Sequence, residues 1–239
     1  DGCVSHCTFC KTKLAKGALY SYPQEKIIQS IKTDLEMGAK VVWITSQGNE
    51  CYGMDRGNRE LPDLLKNIIS LPFDFKIRIG MMNPQNLFPI LNEMIEIYKN
   101  NKVYKFLHIP IQSASNNVLK SMKRIYTMEK VEKIINKFKT NFPLGTIATD
   151  LITGYPTESN SDHRKNCSFI RKIKPDVLNL STFSKHKGTF ADKLPSLPHD
   201  LIKIRNKEIM SLHRKKSFEN KEIFINKKVK VFINKKINK

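Results

Sequence analysis

Short runs of β-branched and aromatic residues alternate along the chain with longer stretches in which apolar residues recur at helical spacing. We predict five strands, at residues 41–45, 76–79, 103–109, 146–152 and 177–182. We predict six helices, at residues 27–35, 61–69, 87–98, 131–138, 162–173 and 201–218. Ser161 is the predicted N-cap of the fifth helix because its hydroxyl can accept a hydrogen bond from the first turn.

The repeated order of strand and helix predicts an α/β fold with a parallel sheet and helices outside it, either barrel-like or doubly wound. In both forms, the carboxyl ends of the strands carry the chemistry. We predict one core domain over residues 1–220. Residues 221–239 form a short basic C-terminal extension, in which EIFINKKVKVFI alternates like a strand.

Net charge narrows the class of partner. The chain has 42 Lys and Arg against 22 Asp and Glu, a net charge of +20, which favours a polyanion such as nucleic acid. Residues 203–239 hold 13 basic residues and three Glu, half of the surplus. This tail is either an RNA-contacting surface or a solvated helix face. We expect no membrane partner, since no apolar run approaches roughly 18 residues.

Five cysteines are present, and three of them lie together at Cys3, Cys7 and Cys10, whereas Cys51 and Cys167 are isolated. The odd number and the clustering favour metal binding in a reducing compartment over disulfides. Three thiolates within eight residues can hold three corners of a [4Fe-4S] cluster and leave one iron open to substrate. The alternative is a structural zinc site whose fourth ligand would be His6 or Cys51.

The C-x3-C-x2-C loop, with Phe9 before its last cysteine, resembles the radical S-adenosylmethionine (SAM) enzymes. The longer string GCVSHCTFCKTKLAKG at residues 2–17 resembles the tRNA methylthiotransferases, and more specifically their archaeal and eukaryotic branch, which acts on N6-threonylcarbamoyladenosine beside the anticodon. Further segments similar to that family follow in order: YGMDRG, RIGMMNP, FLHIPIQSAS, MKRIYT and IATDLITGYPTES. In the last of these, Thr157 stands where the family has a second glycine.

The resemblance implies a partial (β/α)6 TIM-like radical SAM barrel in which Cys3, Cys7 and Cys10 hold a [4Fe-4S] cluster. It also implies SAM as a second cofactor, bound near the strand ends. The residues that we expect to contact SAM are Phe9, Thr45, Ser46, Gln47, Arg78, Met81, Asn83, Gln112, Ser113 and Asp150. We assign no catalytic residue, and His108 is expected to be a hydrogen-bonded core residue.

The activity that the resemblance implies is addition of a methylthio group at C2 of N6-threonylcarbamoyladenosine at position 37 of tRNA. The expected partners are the tRNA anticodon loop and an electron donor, either a reductase or a protein of the ferredoxin or flavodoxin type, in the cytoplasm. Family members carry a second [4Fe-4S] cluster on an N-terminal domain and end in a TRAM domain, of which residues 221–239 resemble only the start. Two alternatives stay open: a noncatalytic zinc-stabilised RNA-binding protein, and a radical SAM enzyme with another substrate.

Overall fold

A computed structural model describes residues 1–229 and residue 231 of the chain. Its five strands are β1 (Val41–Ile44), β2 (Lys76–Ile79), β3 (Phe106–His108), β4 (Thr146–Thr153) and β5 (Val177–Thr182). Its helices are α1 (Thr12–Lys16), α2 (Gln24–Glu36), α3 (Leu61–Ile69), α4 (Pro84–Leu87), α5 (Leu91–Lys99), α6 (Asn116–Ser121), α7 (Met128–Asn141), α8 (Asn160–Ile173) and α9 (His199–Lys221).

All strand pairs are parallel, and neighbours in space are neighbours in sequence. β1 pairs with β2, and β3, β4 and β5 form a three-stranded group in that order. A bridge between Ile77 and Val103 joins the two groups, and the Met82 amide donates to the His108 carbonyl at 2.9 Å. The result is an open sheet of five parallel strands with helical crossovers, which confirms the predicted α/β class and the parallel strands of a partial barrel.

One face of the sheet is buried beneath the helices. Ile77, Ile79, Leu107, Ile147 and Leu151 point to this face, and none is more than 1% exposed. Each such side chain contributes roughly 1.5–3 kcal/mol by leaving water. Most alternate positions of β2 and β4 are partly accessible, among them Arg78 and Asp150, since side chains of a strand point to opposite faces in turn. This second face is therefore available for ligands.

Three of the predicted element limits were wrong, and three short helices were missed. β3 begins at Phe106 rather than residue 103, because Val103 forms only the isolated bridge. The helix predicted at 87–98 is interrupted by a 3-10 turn at Phe88–Ile90, since Pro89 has no N–H for a continuous helix. The N-cap of α8 is Ser159, not Ser161, and it forms a reciprocal capping box with Asp162. The short helices α1, α4 and α6 were not predicted.

The prediction of a strand-like segment after Asn220 was also wrong over the residues that the structure describes. Glu222–Phe224 form a 3-10 turn that continues directly from α9, and residues 225–229 contain no strand. Residue 230 and residues 232–239 lie outside the described part, so the boundary at 220/221 stays a prediction. Within the part that the structure describes, no helix is both long enough and apolar enough to cross a bilayer.

Candidate functional site

The cysteine loop begins at a backbone position that only glycine fits. Gly2 has φ +72°, and a Cβ there would lie 1.8 Å from the carbonyl oxygen of Ala18. This close approach, together with the bond from the Tyr20 amide to the Asp1 carbonyl at 2.9 Å, fixes the start of the loop against the following segment. Cys3 is therefore placed by backbone contacts rather than by its own packing.

Thr8, in the middle of the loop, anchors it to distant elements. Its amide donates to the Met122 carbonyl at the end of α6 at 3.1 Å. Its hydroxyl lies 2.8 Å from the Tyr155 hydroxyl and donates to the Ser121 carbonyl at 3.0 Å. Tyr155 is fully buried just after β4. The loop is thus held at the carboxyl end of the sheet by residues more than 110 positions away in sequence.

Each of the three loop sulfurs accepts one N–H hydrogen bond at 3.4 Å. The donors are the Ser5 amide to Cys3, the Thr12 amide to Cys10 and the Arg124 guanidinium to Cys7. Such donors stabilise the thiolate form that metals bind, and they tune the potential of iron–sulfur clusters. All three sulfurs therefore have an N–H donor that stabilises the thiolate, whichever metal they bind.

Cys7 is the loop cysteine that contacts a cation, Arg124. Burial raises the pKa of its thiol, and the neighbouring Arg124 opposes that rise. Arg124 also donates to the Pro110 carbonyl at 2.8 Å and to the Tyr126 hydroxyl at 3.1 Å. Motif spacing did not indicate this role of Arg124, although the residue lies within the segment MKRIYT. Only the fold brings it to a cysteine 117 positions away.

The three cysteines line one cavity of about 230 Å³ together with residues from three other segments, among them Lys13, Lys123 and Phe190. Their sulfurs are not all within 4.8 Å of one another, whereas thiolates around one zinc ion lie roughly 3.8 Å apart, given Zn–S bonds of about 2.3 Å. The wider spacing, the accessible cavity and the all-sulfur donor set fit a polynuclear iron–sulfur cluster better than a single ion.

A polar row crosses the accessible face of the sheet. Arg78 lies over the rings of Trp43 and Phe106, with its guanidinium carbon 4.8 Å and 4.3 Å from the two centroids. His108 and Asp150 follow on the next two strands, with Nε2 of His108 2.9 Å from Oδ1 of Asp150. Asn179 of β5 donates to the same oxygen at 2.7 Å. The row offers both an aromatic and a charged surface to a ligand.

Two of the expected residues thus lie in this row, Arg78 and Asp150. His108 is hydrogen-bonded, as predicted, but it belongs to the accessible row rather than to the apolar core, which corrects that part of the expectation. The carboxylate of Asp150 accepts from both neighbours and is therefore oriented across the sheet.

Thr45, Ser46 and Gln47 follow β1 and line a separate, larger cavity of about 1080 Å³, bordered by α2. The Ser46 hydroxyl donates to Oδ1 of Asn49 at 3.2 Å and accepts from the Gly48 amide at 3.2 Å. The side chain of Ser46 therefore takes part in a local turn. None of the three residues lines the cysteine cavity.

Asn83 connects the end of β2 to the cysteine loop. Its Nδ2 lies 3.4 Å from the Ser5 hydroxyl, and its Oδ1 accepts from the Gln85 amide and caps α4. The carbonyl oxygen of Met81 accepts hydrogen bonds from the backbone amide and the side-chain amide of Asn49. These two residues position the strand end that faces the loop.

Gln112 and Ser113 shape the turn after β3. Gln112 has φ +65° and bridges to Leu151 through its backbone, while the Ser113 hydroxyl is buried and accepts from the Ser115 amide at 3.2 Å. The ring of Phe9 packs edge-on against Tyr155 with centroids 6.5 Å apart, in a small apolar cluster. In the structure, Phe9 thus packs against an aromatic ring, and the Ser113 side chain takes part in a turn.

A buried acid that the sequence pattern did not mark lies just after the β1 strand end, at Glu50. Glu50 is fully buried, and burial raises the pKa of its carboxyl to about 7. Its Oε1 accepts from the Cys51 thiol at 3.2 Å, and Asn86 donates to the same sulfur at 3.3 Å. No signal in the sequence marks this position, because a lone Glu before a short 3-10 turn is ordinary.

We expect Glu50→Gln to increase stability at alkaline pH. The folded-state pKa of Glu50 is raised to about 7 from 4.5, so wild-type stability falls as the pH rises between these values. The variant lacks that loss. Its free energy of unfolding relative to the wild type should therefore rise by roughly 2–3 kcal/mol when the pH goes from 5 to 8, at 1.36 kcal/mol per pKa unit. Urea unfolding at both pH values measures the difference.

The exposed carboxylate Glu93 provides the matched control for that prediction. Glu93→Gln should change the stability difference between pH 5 and pH 8 by less than about 0.5 kcal/mol, because exposed substitutions usually do. Equal pH dependence for wild type and Glu50→Gln would contradict the burial argument.

The turn after β4 is held by a buried ion pair. Glu158 is 3% exposed, and its Oε2 accepts from the Gly154 amide at 2.9 Å and from Arg205 of α9 at 2.8 Å. Gly154 takes φ +77°, whereas Thr157 is not among the residues with positive φ. The departure at Thr157 is therefore compatible with the turn, and the glycine that the turn requires is present.

The chain matches a known protein family. The model of the radical SAM superfamily matches residues 1–170. A probable threonylcarbamoyladenosine tRNA methylthiotransferase of Pyrococcus horikoshii is 40% identical over 233 residues, which cover 98% of this chain and 55% of that protein. The threonylcarbamoyladenosine tRNA methylthiotransferase of Drosophila melanogaster is 36% identical over 213 residues, 89% of this chain and 38% of that protein. The chain spans about half the length of its archaeal relatives.

Solved structures support the same fold. The radical SAM enzyme coproporphyrinogen III oxidase from Escherichia coli has a TM-score of 0.63 at 16% identity, over 90% of this chain and 50% of that one. Methylornithine synthase has a TM-score of 0.59 at 16% identity, over 90% of this chain and 60% of that one. At these identities the likeness concerns the fold alone.

Proposed function

The chain belongs to the radical SAM superfamily, and on that premise we propose that it is the core of a methylthiotransferase that acts on N6-threonylcarbamoyladenosine at position 37 of tRNA. Membership implies a [4Fe-4S] cluster and SAM as cofactors. When bound, they supply reductive cleavage of the sulfonium and removal of a hydrogen atom from the substrate. The protein's own residues bind, orient and shield these groups.

The observation that carries the proposal is the arrangement of the cysteine loop. We assign Cys3, Cys7 and Cys10 as the cluster ligands because each sulfur accepts an N–H at 3.4 Å and all three line one cavity. Thr8 and Tyr155 fix the loop at the carboxyl end of the parallel strands, where α/β folds hold their ligands.

We place SAM between this loop and the accessible face of the sheet. Asp150 and Arg78 have the charges to bind hydroxyl and carboxylate groups, and Asn83 lies against the loop through Ser5. Met81, Gln112 and Ser113 would shape the floor through their backbone, and Phe9 would support the loop from behind. Thr45, Ser46 and Gln47 would contact the ligand only from the side of the larger cavity.

The tRNA substrate is supported by the relatives' names and by charge. Lys203, Lys207, Arg214 and Lys215 are exposed on α9, and they suit attraction to phosphates without reading sequence. A substrate of this kind places the reaction in the cytoplasm, with an electron donor of the reductase, ferredoxin or flavodoxin type. We place the second [4Fe-4S] cluster, as the source of sulfur, in sequence outside these 239 residues.

Mass spectrometry of tRNA nucleosides tests the substrate. A strain that lacks the gene should lose 2-methylthio-N6-threonylcarbamoyladenosine and accumulate the unmodified threonylcarbamoyl nucleoside. The reconstituted chain should hold about four irons and release 5′-deoxyadenosine when it is reduced with SAM.

Other outcomes separate the alternatives. Unchanged methylthiolation together with 5′-deoxyadenosine release indicates a radical SAM enzyme with another substrate. A chain that binds only zinc and releases no 5′-deoxyadenosine is the noncatalytic RNA-binding protein.

A further inference from the structure

A second group of ligand side chains lies between α8 and α9, and none of its members lines the cysteine cavity. His163 and Cys167 are four residues apart on α8, so they share one face of that helix. Glu208 of α9 faces them across the helix–helix contact. The three residues bring together an imidazole nitrogen, a thiol sulfur and a carboxylate.

The distances in this group are close to those of a tetrahedral metal site. Sγ of Cys167 lies 3.7 Å from Nε2 of His163 and 3.7 Å from Oε1 of Glu208, and Nε2 lies 2.8 Å from Oε2 of Glu208. Zinc bonds of about 2.0–2.3 Å at tetrahedral angles place such ligands roughly 3.3–3.6 Å apart. An ion therefore requires only that the imidazole and carboxylate separate by about half an ångström.

The group is unusual within the molecule. Among residues 1–229 and 231, it is the only set of three or more His, Cys, Asp or Glu side chains whose ligand atoms all lie within 4.8 Å of one another. Nδ1 of His163 is buried and has no hydrogen-bond partner in the described structure. The ring is therefore oriented through Nε2 alone, which is the atom that faces Cys167 and Glu208.

We propose that His163, Cys167 and Glu208 bind a zinc ion. A neutral imidazole, a thiolate and a carboxylate carry a charge of −2 together, which balances Zn²⁺, and the mixed nitrogen, sulfur and oxygen set suits this borderline ion. Ca²⁺ and Mg²⁺ are disfavoured because they require oxygen ligands. When zinc binds, the Cys167 thiol proton is released to solvent, the proton of the neutral imidazole shifts from Nε2 to Nδ1, and water fills the fourth position.

Access and consequence follow from the burial of the three side chains. Cys167 and His163 are buried, whereas the Glu208 side chain is 52% exposed, so an ion can enter from the solvent side of α9. The ion joins α9, which carries exposed basic residues, to α8 of the barrel. Zinc would therefore fix the orientation of the basic helix and stabilise the folded chain, since it binds the folded state preferentially.

The experiment uses the anaerobically reconstituted chain, in which iron occupies the loop thiols. After exposure to zinc and removal of the excess, iron and zinc are both counted by mass spectrometry. We expect about one zinc per chain in addition to about four irons, and a rise in melting temperature of about 5 °C or more at a free zinc concentration of 100 times Kd. Counting both metals keeps this result separate from the proposed function.

Matched variants locate the ion. Cys167→Ser and Glu208→Gln should each weaken zinc binding at least about tenfold, since even outer contacts of metal sites have effects of that size. Cys51→Ser removes the other isolated buried thiol and should leave zinc binding unchanged. Glu208→Gln changes a half-exposed side chain, so it tests the site without disturbing the core.

Three outcomes would overturn the proposal. The chain could bind no zinc, it could bind zinc equally well in Cys167→Ser and Glu208→Gln, or it could lose iron in proportion to the zinc that it gains. The last result would place the ion in the cysteine loop.

Discussion

Replacing Cys7 by serine is expected to abolish cluster assembly and SAM cleavage while leaving the fold intact. Cys7 is the loop sulfur that Arg124 contacts at 3.4 Å, and a hydroxyl there offers neither the soft thiolate nor the same bond length. Two remaining thiols cannot hold three corners of a cubane. Iron should fall from about four per chain to well under one after anaerobic reconstitution, and 5′-deoxyadenosine should fall to the detection limit.

The matched control is Cys51→Ser. Cys51 is also a free thiol, but it is buried against Glu50 and Asn86 and does not line the cysteine cavity. This variant should keep its full iron content. Retention of iron by Cys7→Ser together with its loss from Cys51→Ser would show that the ligand set has been assigned wrongly. Circular dichroism and melting curves establish that Cys7→Ser is folded, with a stability change of about 1 kcal/mol or less.

Hydrophobic periodicity was sufficient to predict the five strands and the six longer helices, because each of these elements buries one face against a shared core. It failed for α1, α4 and α6, which have five, four and six residues, too few for a periodic pattern to be visible. It also failed at residues 222–229, where alternating apolar residues extend from a helix end and have no neighbouring strand to pair with in the described structure.

The candidate site, like the fold, could be predicted from the sequence only in part. The cysteine motif is local in sequence, so its spacing predicted a metal site, with a [4Fe-4S] cluster and zinc as the alternatives, and the family resemblance added SAM. The contacts of Arg124 with Cys7, of Tyr155 with Thr8 and of Glu50 with Cys51 depend on which strand ends meet. Nothing in the local pattern marks Arg124 or Glu50, because their roles arise from tertiary packing, whereas motif spacing reports only neighbours in sequence.

The second large effect is expected from Arg205→Met. Arg205 and Glu158 are both nearly fully buried, and Arg205 also donates to the Glu158 carbonyl at 3.1 Å and to Oδ1 of Asn160 at 2.8 Å. Methionine fills similar space but leaves the Glu158 carboxylate buried without its cation. Breaking one side of such a pair costs about 3–5 kcal/mol, which lowers the melting temperature by roughly 10 °C for a chain of this size. Differential scanning calorimetry measures the change.

Two further variants identify the cause of that loss. Adding Glu158→Gln to Arg205→Met should recover part of the stability, because the uncompensated charge is removed. Lys66→Met breaks an exposed pair with Asp63 and should change stability by less than about 1 kcal/mol. Because Glu158 also holds the Gly154 amide beside Tyr155, which anchors Thr8, Arg205→Met should also lower the iron content on reconstitution. Wild-type stability of Arg205→Met would mean that the ion pair does not stabilise the turn. It would also contradict the inference that α9 supports the cysteine loop through this turn.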